Sequence, residues 1–166
     1  MECVSFGPLY SKKAKVLILG SMPSVVSLRM QQYYAHPRNA FWPILFTYFD
    51  EPVSEAYEDR KQLILTHEIA LWDVLSCCER EGSMDTAIRN PKANDLDALL
   101  SECPGIRTIL LNGSKAYEQY RKNFSHPHNV LRLPSTSPAM TMPFSEKFTI
   151  WKNALDTAFE KGEEIK

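Results

Sequence analysis

Short apolar runs alternate along this chain with longer segments of helical periodicity. Buried strands are predicted from the apolar, β-branched runs at 15–19, 69–75, 106–111 and 130–133. Helices are predicted at 41–49, at 54–66 with Ser54 as the cap, from Asp95 to a stop near Pro104, at 114–124 and at 145–160. Strands that alternate with helices favour parallel pairing through right-handed crossovers. We therefore predict an α/β fold, a three-layer α/β/α sandwich around a four-stranded parallel sheet, formed by one domain over residues 1–166.

In such folds ligands bind beyond the carboxyl ends of the strands. The segments in which chemistry is expected are therefore 20–39, 72–78, 112–115 and 134–140. The part from Ser21 to Asn39 is interpreted as one loop of about twenty residues, a length that is usually functional inside a compact domain.

The most unusual composition lies between Gln31 and Trp42, where amides, phenols, an imidazole, a guanidinium and large aromatic rings crowd together. Stacking surfaces interleaved with hydrogen-bonding groups suit the recognition of a planar base. Phe41 and Trp42 are equally well explained as core residues at the start of a helix. The polar members of the segment gain nothing from a core, which favours a binding site.

Two other strand ends offer polar groups. Pro134 and Pro138 stiffen the segment after the last strand, whose hydroxyl groups suit phosphate oxygens and whose Met140 suits a wedge into a base stack. A proline-rich surface turn explains the same residues. Asn112 and Lys115 precede a predicted helix, where they serve either as an anion contact or as part of a helix cap.

Composition limits the partners. Nineteen Lys and Arg against twenty Asp and Glu give a net charge of −1, so any contact with nucleic acid needs a local basic patch. No apolar run is long enough to span a bilayer and no signal peptide precedes the first strand, which favours a cytoplasmic protein. The four cysteines lack a C-x2-C pair and are expected to be reduced thiols without a metal. P-loop, dinucleotide and nucleophile-elbow motifs are absent from the sequence.

Taken together, these segments resemble the uracil-DNA glycosylase superfamily over nearly the whole chain from Lys15 onward. Gly20-Ser-Met-Pro-Ser24 and Leu133-Pro-Ser-Thr-Ser-Pro-Ala139 stand where that superfamily has its two motifs, and Asn112-Gly-Ser-Lys115 is similar to a stretch of its mismatch-specific members. The run from Tyr33 to Trp42 resembles the sixth family, the hypoxanthine-DNA glycosylases, most closely. The resemblance implies a four-stranded parallel sheet between helices and an enzyme that hydrolyses the N-glycosidic bond of a deaminated base flipped out of DNA.

The resemblance also implies the roles of individual residues. Hypoxanthine is the expected base, with xanthine and uracil as further candidates, and water is the nucleophile without a lyase step. The expected catalytic residues are Asn39, which positions the water, and His36. Met22 stands where many members have a water-positioning Asp or Asn, and Leu133 stands where the uracil enzymes have His. Residues expected to contact the base are Gly20, Ser21, Met22, Tyr34, Phe41, Asp73, which corresponds loosely to a base-recognising Asn of the uracil enzymes, and Asn112. Residues expected to contact DNA are Arg38, Lys115, Pro134, Ser135, Thr136, Ser137 and Met140, with Arg132 adding positive charge.

The expected partner is DNA that contains deaminated bases, bound by a monomer that needs no cofactor or metal. Two alternatives remain open at this stage. The same pocket suits a nucleoside or nucleotide hydrolase that acts on free substrates, which the near-zero net charge favours slightly. It also suits a binding module that recognises a damaged base without cutting, since Met22 and Leu133 depart from the catalytic motifs.

Overall fold

The computed structural model describes residues 1–164, so the last two residues of the predicted domain 1–166 lie outside the described residues. Its strands are β1 (Glu2–Val4), β2 (Val16–Gly20), β3 (Ile69–Asp73), β4 (Leu75–Glu79), β5 (Arg89–Ala93), β6 (Thr108–Asn112) and β7 (Asn129–Leu133). Its helices are α1 (Val25–Met30), α2 (Phe41–Tyr48), α3 (Tyr57–Thr66), α4 (Leu96–Glu102), α5 (Ser114–Asn123) and α6 (Phe144–Glu164), with a short 3-10 helix at Asp85–Ala87.

A four-stranded parallel sheet lies at the centre, in the order β3-β2-β6-β7. The predicted α/β fold class is therefore confirmed. The register places Gly20 beside Asp73 and Asn112 beside Leu133. Because parallel strands end at the same edge of a sheet, the segments that follow these residues converge there.

The two faces of the sheet bury different side chains, as the alternation of a strand requires. Leu17 and Leu19 of β2 pack on one side with residues of α4 and α5. Val16 and Ile18 pack on the other side with residues of α2, α3 and α6. All four side chains are fully buried, so β2 is covered on both faces and appears in the sequence as a continuous apolar run.

A second, antiparallel sheet of three strands in the order β1-β4-β5 was not predicted. The predicted strand 69–75 was wrong at its end, because β3 stops at Asp73 and the chain turns into β4. At the turn, the N–H groups of Val74 and Leu75 donate to the carbonyls of Gly20 and Ser21, at 2.8 and 3.2 Å. Apolar residues lie on both sides of this break and only Asp73 interrupts them, so the pattern suggests one strand where there are two strands of different sheets.

Two further expectations were wrong. The segment from Ser21 to Asn39 is not one loop, because Ser24 caps helix α1 by accepting from the Ser27 N–H. Ser54 does not cap α3, which begins at Tyr57 after Ala56. The Ser54 hydroxyl instead binds the Asp59 carboxylate at 2.7 Å and the Ala56 N–H at 3.1 Å, bracing the approach to the helix.

Within residues 1–164, no helix has the length and apolar character that crossing a membrane requires. In the same residues no group of three or more His, Cys, Asp or Glu side chains is arranged to hold a metal ion.

Candidate active site

Gly20, Asp73 and Tyr34 meet at the carboxyl ends of β2 and β3. A Cβ at Gly20 would lie 2.6 Å from Asp73 Oδ1 and 2.8 Å from the Tyr34 hydroxyl oxygen, closer than any side chain tolerates. Both the Tyr34 hydroxyl and Asp73 Oδ2 are buried and have no hydrogen bond of good geometry among the described residues, although the Asn112 side chain lies near enough to the Tyr34 hydroxyl to oppose the rise in its pKa that burial causes. Buried polar atoms are nearly always paired, so two unpaired oxygens on neighbouring residues mark a place that a ligand or water completes.

Asp73 is the acid of this cluster whose pKa is shifted most from its ordinary value. It is 3% exposed, and burial raises the pKa of its carboxyl to about 7. The Arg80 guanidinium lowers this pKa and the Asp85 carboxylate raises it further. A strongly shifted carboxyl at the ligand-binding edge of the sheet is a candidate for a functional group.

Tyr34 presents a ring to this cleft from a strained backbone. Its φ of 53° is left-handed, which is rare for an aromatic residue and common at binding sites. The Tyr34 ring stacks on Phe41 at a centroid distance of 4.0 Å. Phe41 is 1% exposed and packs edge-on to Trp42 and Trp151, so the face it turns toward Tyr34 is already covered. Of the two rings, the half-buried Tyr34 ring is therefore the more accessible surface for a base to stack on.

Asn39 lies at the start of α2. Its backbone N–H donates to the His36 carbonyl at 2.9 Å, and its side-chain Oδ1 accepts from the Phe41 N–H at 2.9 Å. An amide oxygen has two lone pairs, so Oδ1 keeps one for a second donor. The Asn39 Nδ2 group has no partner among the residues that the structure describes. The amide is thus held in one orientation while a donor and an acceptor remain available.

His36 is fixed in a similar way. Its Nδ1 accepts from the Arg38 N–H at 3.0 Å, so the neutral ring carries its proton on Nε2. This tautomer offers an N–H donor to a ligand. Arg38 itself is exposed, as a phosphate contact requires.

Asn112 and Thr136 connect two strand ends. Asn112 donates through Nδ2 to the Thr136 hydroxyl and accepts through Oδ1 from the Thr136 N–H, both at 3.0 Å. The Thr136 carbonyl accepts from the Ala40 N–H at 3.0 Å, next to Asn39. Thr136 is 1% exposed, so its hydroxyl is directed into the protein and not toward solvent. In this arrangement Asn112 and Thr136 brace the site.

The segment 134–140 is held from behind by the last helix. Trp151 Nε1 donates to the Pro134 carbonyl at 3.0 Å. Lys147, which is 3% exposed, donates through Nζ to the carbonyls of Ser137 and Met140 at 3.3 and 2.8 Å. Burial lowers the pKa of Lys147. Sequence analysis missed this residue, although Lys147 shares a helical face with Trp151 four residues later, and a cation on such a face is a usable signal.

Segment 134–140 also approaches the start of α5. The positive φ of Gly113, 100°, and the 3.1 Å that would separate a Cβ there from Ser135 Cβ leave no room for a side chain. Ser135 and Ser137 accept, through their hydroxyl oxygens, from the N–H groups two residues ahead. Met140 is only partly exposed, so part of its side chain is covered by the protein.

The turn between β4 and β5, residues 80–88, braces the segment 20–25, and sequence analysis missed it. The buried Arg80 donates through Nη2 to the Pro23 carbonyl. Ser83 Oγ accepts from the Val25 N–H at 2.9 Å, and Asp85 Oδ1 accepts from the Ser21 hydroxyl at 2.8 Å. These residues lie in a hairpin whose strands have no clear periodicity, so no sequence signal identifies them.

The remaining predicted residues fall into two groups. Met22 is 7% exposed and Leu133 is 5% exposed, and both side chains belong to the core, so only their backbones face the cleft. Lys115 and Arg132 carry charge near the site. The Lys115 Nζ lies 3.8 Å from a Glu118 oxygen, and the Arg132 guanidinium lies 5.4 Å above the Tyr117 ring.

Comparisons with known proteins show the family and the fold of this chain. Residues 8–158 match the family model of the uracil DNA glycosylase superfamily. A Methanosarcina barkeri protein named hypoxanthine DNA glycosylase is 36% identical over 119 residues, which cover 71% of this chain and 75% of the relative. A Methanosarcina acetivorans protein of the same name is 37% identical over 137 residues, covering 81% and 85%. A solution NMR structure of a Methanosarcina acetivorans protein, assigned provisionally as a uracil DNA glycosylase, superposes with a TM-score of 0.80 at 33% identity, covering 93% of this chain and 99% of that one.

Proposed function

This chain belongs to the uracil DNA glycosylase superfamily, and from that premise we propose that it removes hypoxanthine from DNA by hydrolysing the N-glycosidic bond of deoxyinosine. The superfamily match spans residues 8–158, and both curated relatives carry the name hypoxanthine DNA glycosylase. The partner is DNA with a deaminated base, which must leave the base stack to reach a cleft at the strand ends. The proposed chemistry uses residues of this chain alone, and we propose that the chain acts as a monomer.

The fixed Asn39 amide is the observation on which the mechanism rests. Met22 points into the core and cannot position a water, whereas Asn39 Oδ1 keeps a free lone pair beside the cleft. We assign Asn39 to hold the attacking water near C1′ of the sugar. An amide is not a general base at neutral pH, so its contribution is orientation of the water toward an oxocarbenium-like sugar.

The departing base needs donors for the negative charge that develops on it. His36 Nε2–H is one donor, because the Arg38 N–H occupies Nδ1. The backbone at Gly20 and Ser21 lies at the end of β2, where a base edge is expected, and the Tyr34 ring supplies a stacking surface. Asn112 and Thr136 contribute by holding the segment 134–140 against Asn39, with Ser135 and Ser137 nearer to the phosphates.

The environment of the two lysines near the site favours hydrolysis of the base without cleavage of the strand. Lys147 is buried with its Nζ bound to two carbonyls, and Lys115 lies beside Glu118. Neither is presented as a free amine that could attack the sugar. We therefore propose that the product is an intact strand with an abasic site.

The test is release of base from labelled duplexes that contain deoxyinosine, deoxyxanthosine or deoxyuridine. We expect release from deoxyinosine, and a rate lower by on the order of 100-fold in Asn39→Ala, because a positioned group is lost while the fold remains. Asn129→Ala is the matched control, since Asn129 is an exposed asparagine at the opposite, amino end of β7. Strand breaks should appear only after alkali.

Other outcomes are equally informative. If the wild-type chain cuts no duplex but hydrolyses free deoxyinosine, a nucleoside hydrolase replaces the proposal. Binding to damaged duplex without release of any base would instead identify a recognition module. Equal loss of activity in Asn39→Ala and Asn129→Ala would overturn the assignment of Asn39.

A further inference from the structure

Four of the six orphaned buried polar atoms among the described residues belong to three neighbours in the cleft. They are the Tyr34 hydroxyl, Asp73 Oδ2, and Nε and Nη1 of Arg80. Arg80 is 2% exposed, and it makes its one side-chain hydrogen bond to the Pro23 carbonyl. A buried cation and a buried acid that do not pair directly are costly, so their arrangement calls for a function.

The surroundings of Asp73 favour its neutral form. Its Oδ2 receives no hydrogen bond from the described residues, and Arg80 acts on it only at a distance, without a direct ion pair. The other titratable groups that face Asp73 are Asp85, whose charge repels a second carboxylate, and the phenols of Tyr34 and Tyr33. Burial raises the pKa of both phenols, so they stay neutral and offer no positive charge.

Resting on the proposed function, we propose that Asp73 contacts the flipped base as a neutral carboxylic acid. Arg80 and Asp85 are positioning residues, whose charges control whether the Asp73 carboxyl holds its proton. A neutral carboxyl has one O–H donor and one carbonyl acceptor side by side. Hypoxanthine presents an O6 acceptor next to an N1–H donor. The acid proton therefore binds O6 while the carbonyl oxygen accepts from N1–H.

The charge state of Asp73 also affects binding and catalysis. An ionised carboxylate still accepts from N1–H, but its second oxygen faces O6 and repels it. Guanine presents the same O6 acceptor and N1–H donor as hypoxanthine, so these two contacts do not distinguish the bases, and the neutral acid is needed to bind either of them. In the hydrolysis of the glycosidic bond, electrons pass to the departing base, and the Asp73 O–H strengthens its bond to O6 as that charge develops.

The first experiment is a single-turnover pH–rate profile on a deoxyinosine duplex. The neutral acid predominates below its pKa and is lost above it, so wild-type release should decline as pH rises past about 7. Asp73→Asn keeps one donor and one acceptor but does not titrate, so it should retain release within about tenfold and lose this alkaline decline. Asp73→Ala should lose release by on the order of 100-fold at every pH. Loss of release in Asp73→Asn equal to that in Asp73→Ala would show that the carboxylate is needed, and would overturn the inference.

The second experiment tests the two positioning residues by their opposite charges. Arg80→Gln removes a cation, so the alkaline decline should move to higher pH, whereas Asp85→Asn removes an anion and should move the decline to lower pH. Asparagine at 85 still accepts from the Ser21 hydroxyl, so this variant keeps the brace and changes only the charge. Lys92→Gln, an exposed cation on β5 of the antiparallel sheet, is the control and should leave the profile unchanged.

If Arg80→Gln does not fold, the shift of the pH–rate profile in Asp85→Asn tests the role of the charges by itself. Profiles of Asp85→Asn and wild type that coincide would refute the role of the charges. Absence of release from the wild-type chain at every pH would instead refute the proposed function, so the two failures are distinguishable.

Discussion

Gly20 has no side chain, and the space of a Cβ is already occupied by Asp73 and the Tyr34 hydroxyl. Gly20→Ala would place Cβ 2.6 Å from Asp73 Oδ1, so the carboxyl or the ring must move. We expect a loss of about 1–3 kcal/mol in the free energy of unfolding, as overpacking usually causes, and a loss of base release. Gly7→Ala is the control, because a Cβ there meets nothing within 4 Å. Denaturant unfolding and base release measured on both variants check this, and equal behaviour of the two would contradict it.

At the scale of residues, the sequence predicted which segments lie together better than it predicted the hydrogen bonds of their side chains. Gly20 and Asp73 lie side by side, as expected for the ends of neighbouring parallel strands, and the Tyr34 hydroxyl approaches them from the segment between α1 and α2. Asn112 and Thr136 were expected to face ligand, yet they bind each other, because a short amide beside a buried backbone N–H finds a partner within the protein first. Arg80 was missed because a single buried arginine leaves no periodic trace in a sequence.

At the scale of elements, helix α6 holds the segment 134–140 through Lys147. Lys147→Met leaves the carbonyls of Ser137 and Met140 without this donor but also removes a buried charge. These effects oppose each other in the free energy of unfolding, so we expect a change below about 2 kcal/mol. The looser segment should raise KM for DNA by roughly tenfold and change kcat less, because it contacts the strand and not the scissile bond.

Kinetics and thermal unfolding of Lys147→Met and Lys152→Met check this expectation. Lys152 is an exposed lysine of the same helix that pairs with Asp156 at 3.0 Å, and its replacement should change neither KM nor stability. A KM for Lys147→Met equal to that of the wild type would show that α6 does not position the segment.

The parallel sheet and helices α2 to α6 were predictable because their apolar runs and helical periodicity are local signals, whereas of the caps only Asp95 was predicted correctly. The small antiparallel sheet was not, since its strand β5, with the sequence Arg-Asn-Pro-Lys-Ala, is polar and contains a proline. Its pairing with β4 is also irregular, with register shifts on either side of Cys77. This sheet forms because β4 follows directly from β3 and is paired on its other side by β1, which are contacts that a local pattern does not contain.

At the scale of the whole molecule, a net charge of −1 limits how strongly DNA is attracted. If Arg38, Lys115 and Arg132 are the phosphate contacts, the logarithm of affinity should fall against the logarithm of salt with a slope of about −3. Arg38→Gln should reduce the slope by about one unit. Arg107→Gln, an exposed arginine at the opposite end of the sheet, should leave it unchanged. Duplex binding across a salt series measures both, and a slope near zero would contradict this set of contacts.

The central sheet ends on one side at β7, which pairs with β6 alone. An outer strand of this kind offers unpaired backbone groups on which another molecule can add a strand, and so aggregate. Strand β7 carries exposed polar residues at Asn129 and Arg132, and the Arg132 guanidinium lies over the Tyr117 ring. A residue suited to phosphate contact therefore also protects an edge of the sheet, so that any change of Arg132 made to alter DNA affinity alters solubility as well.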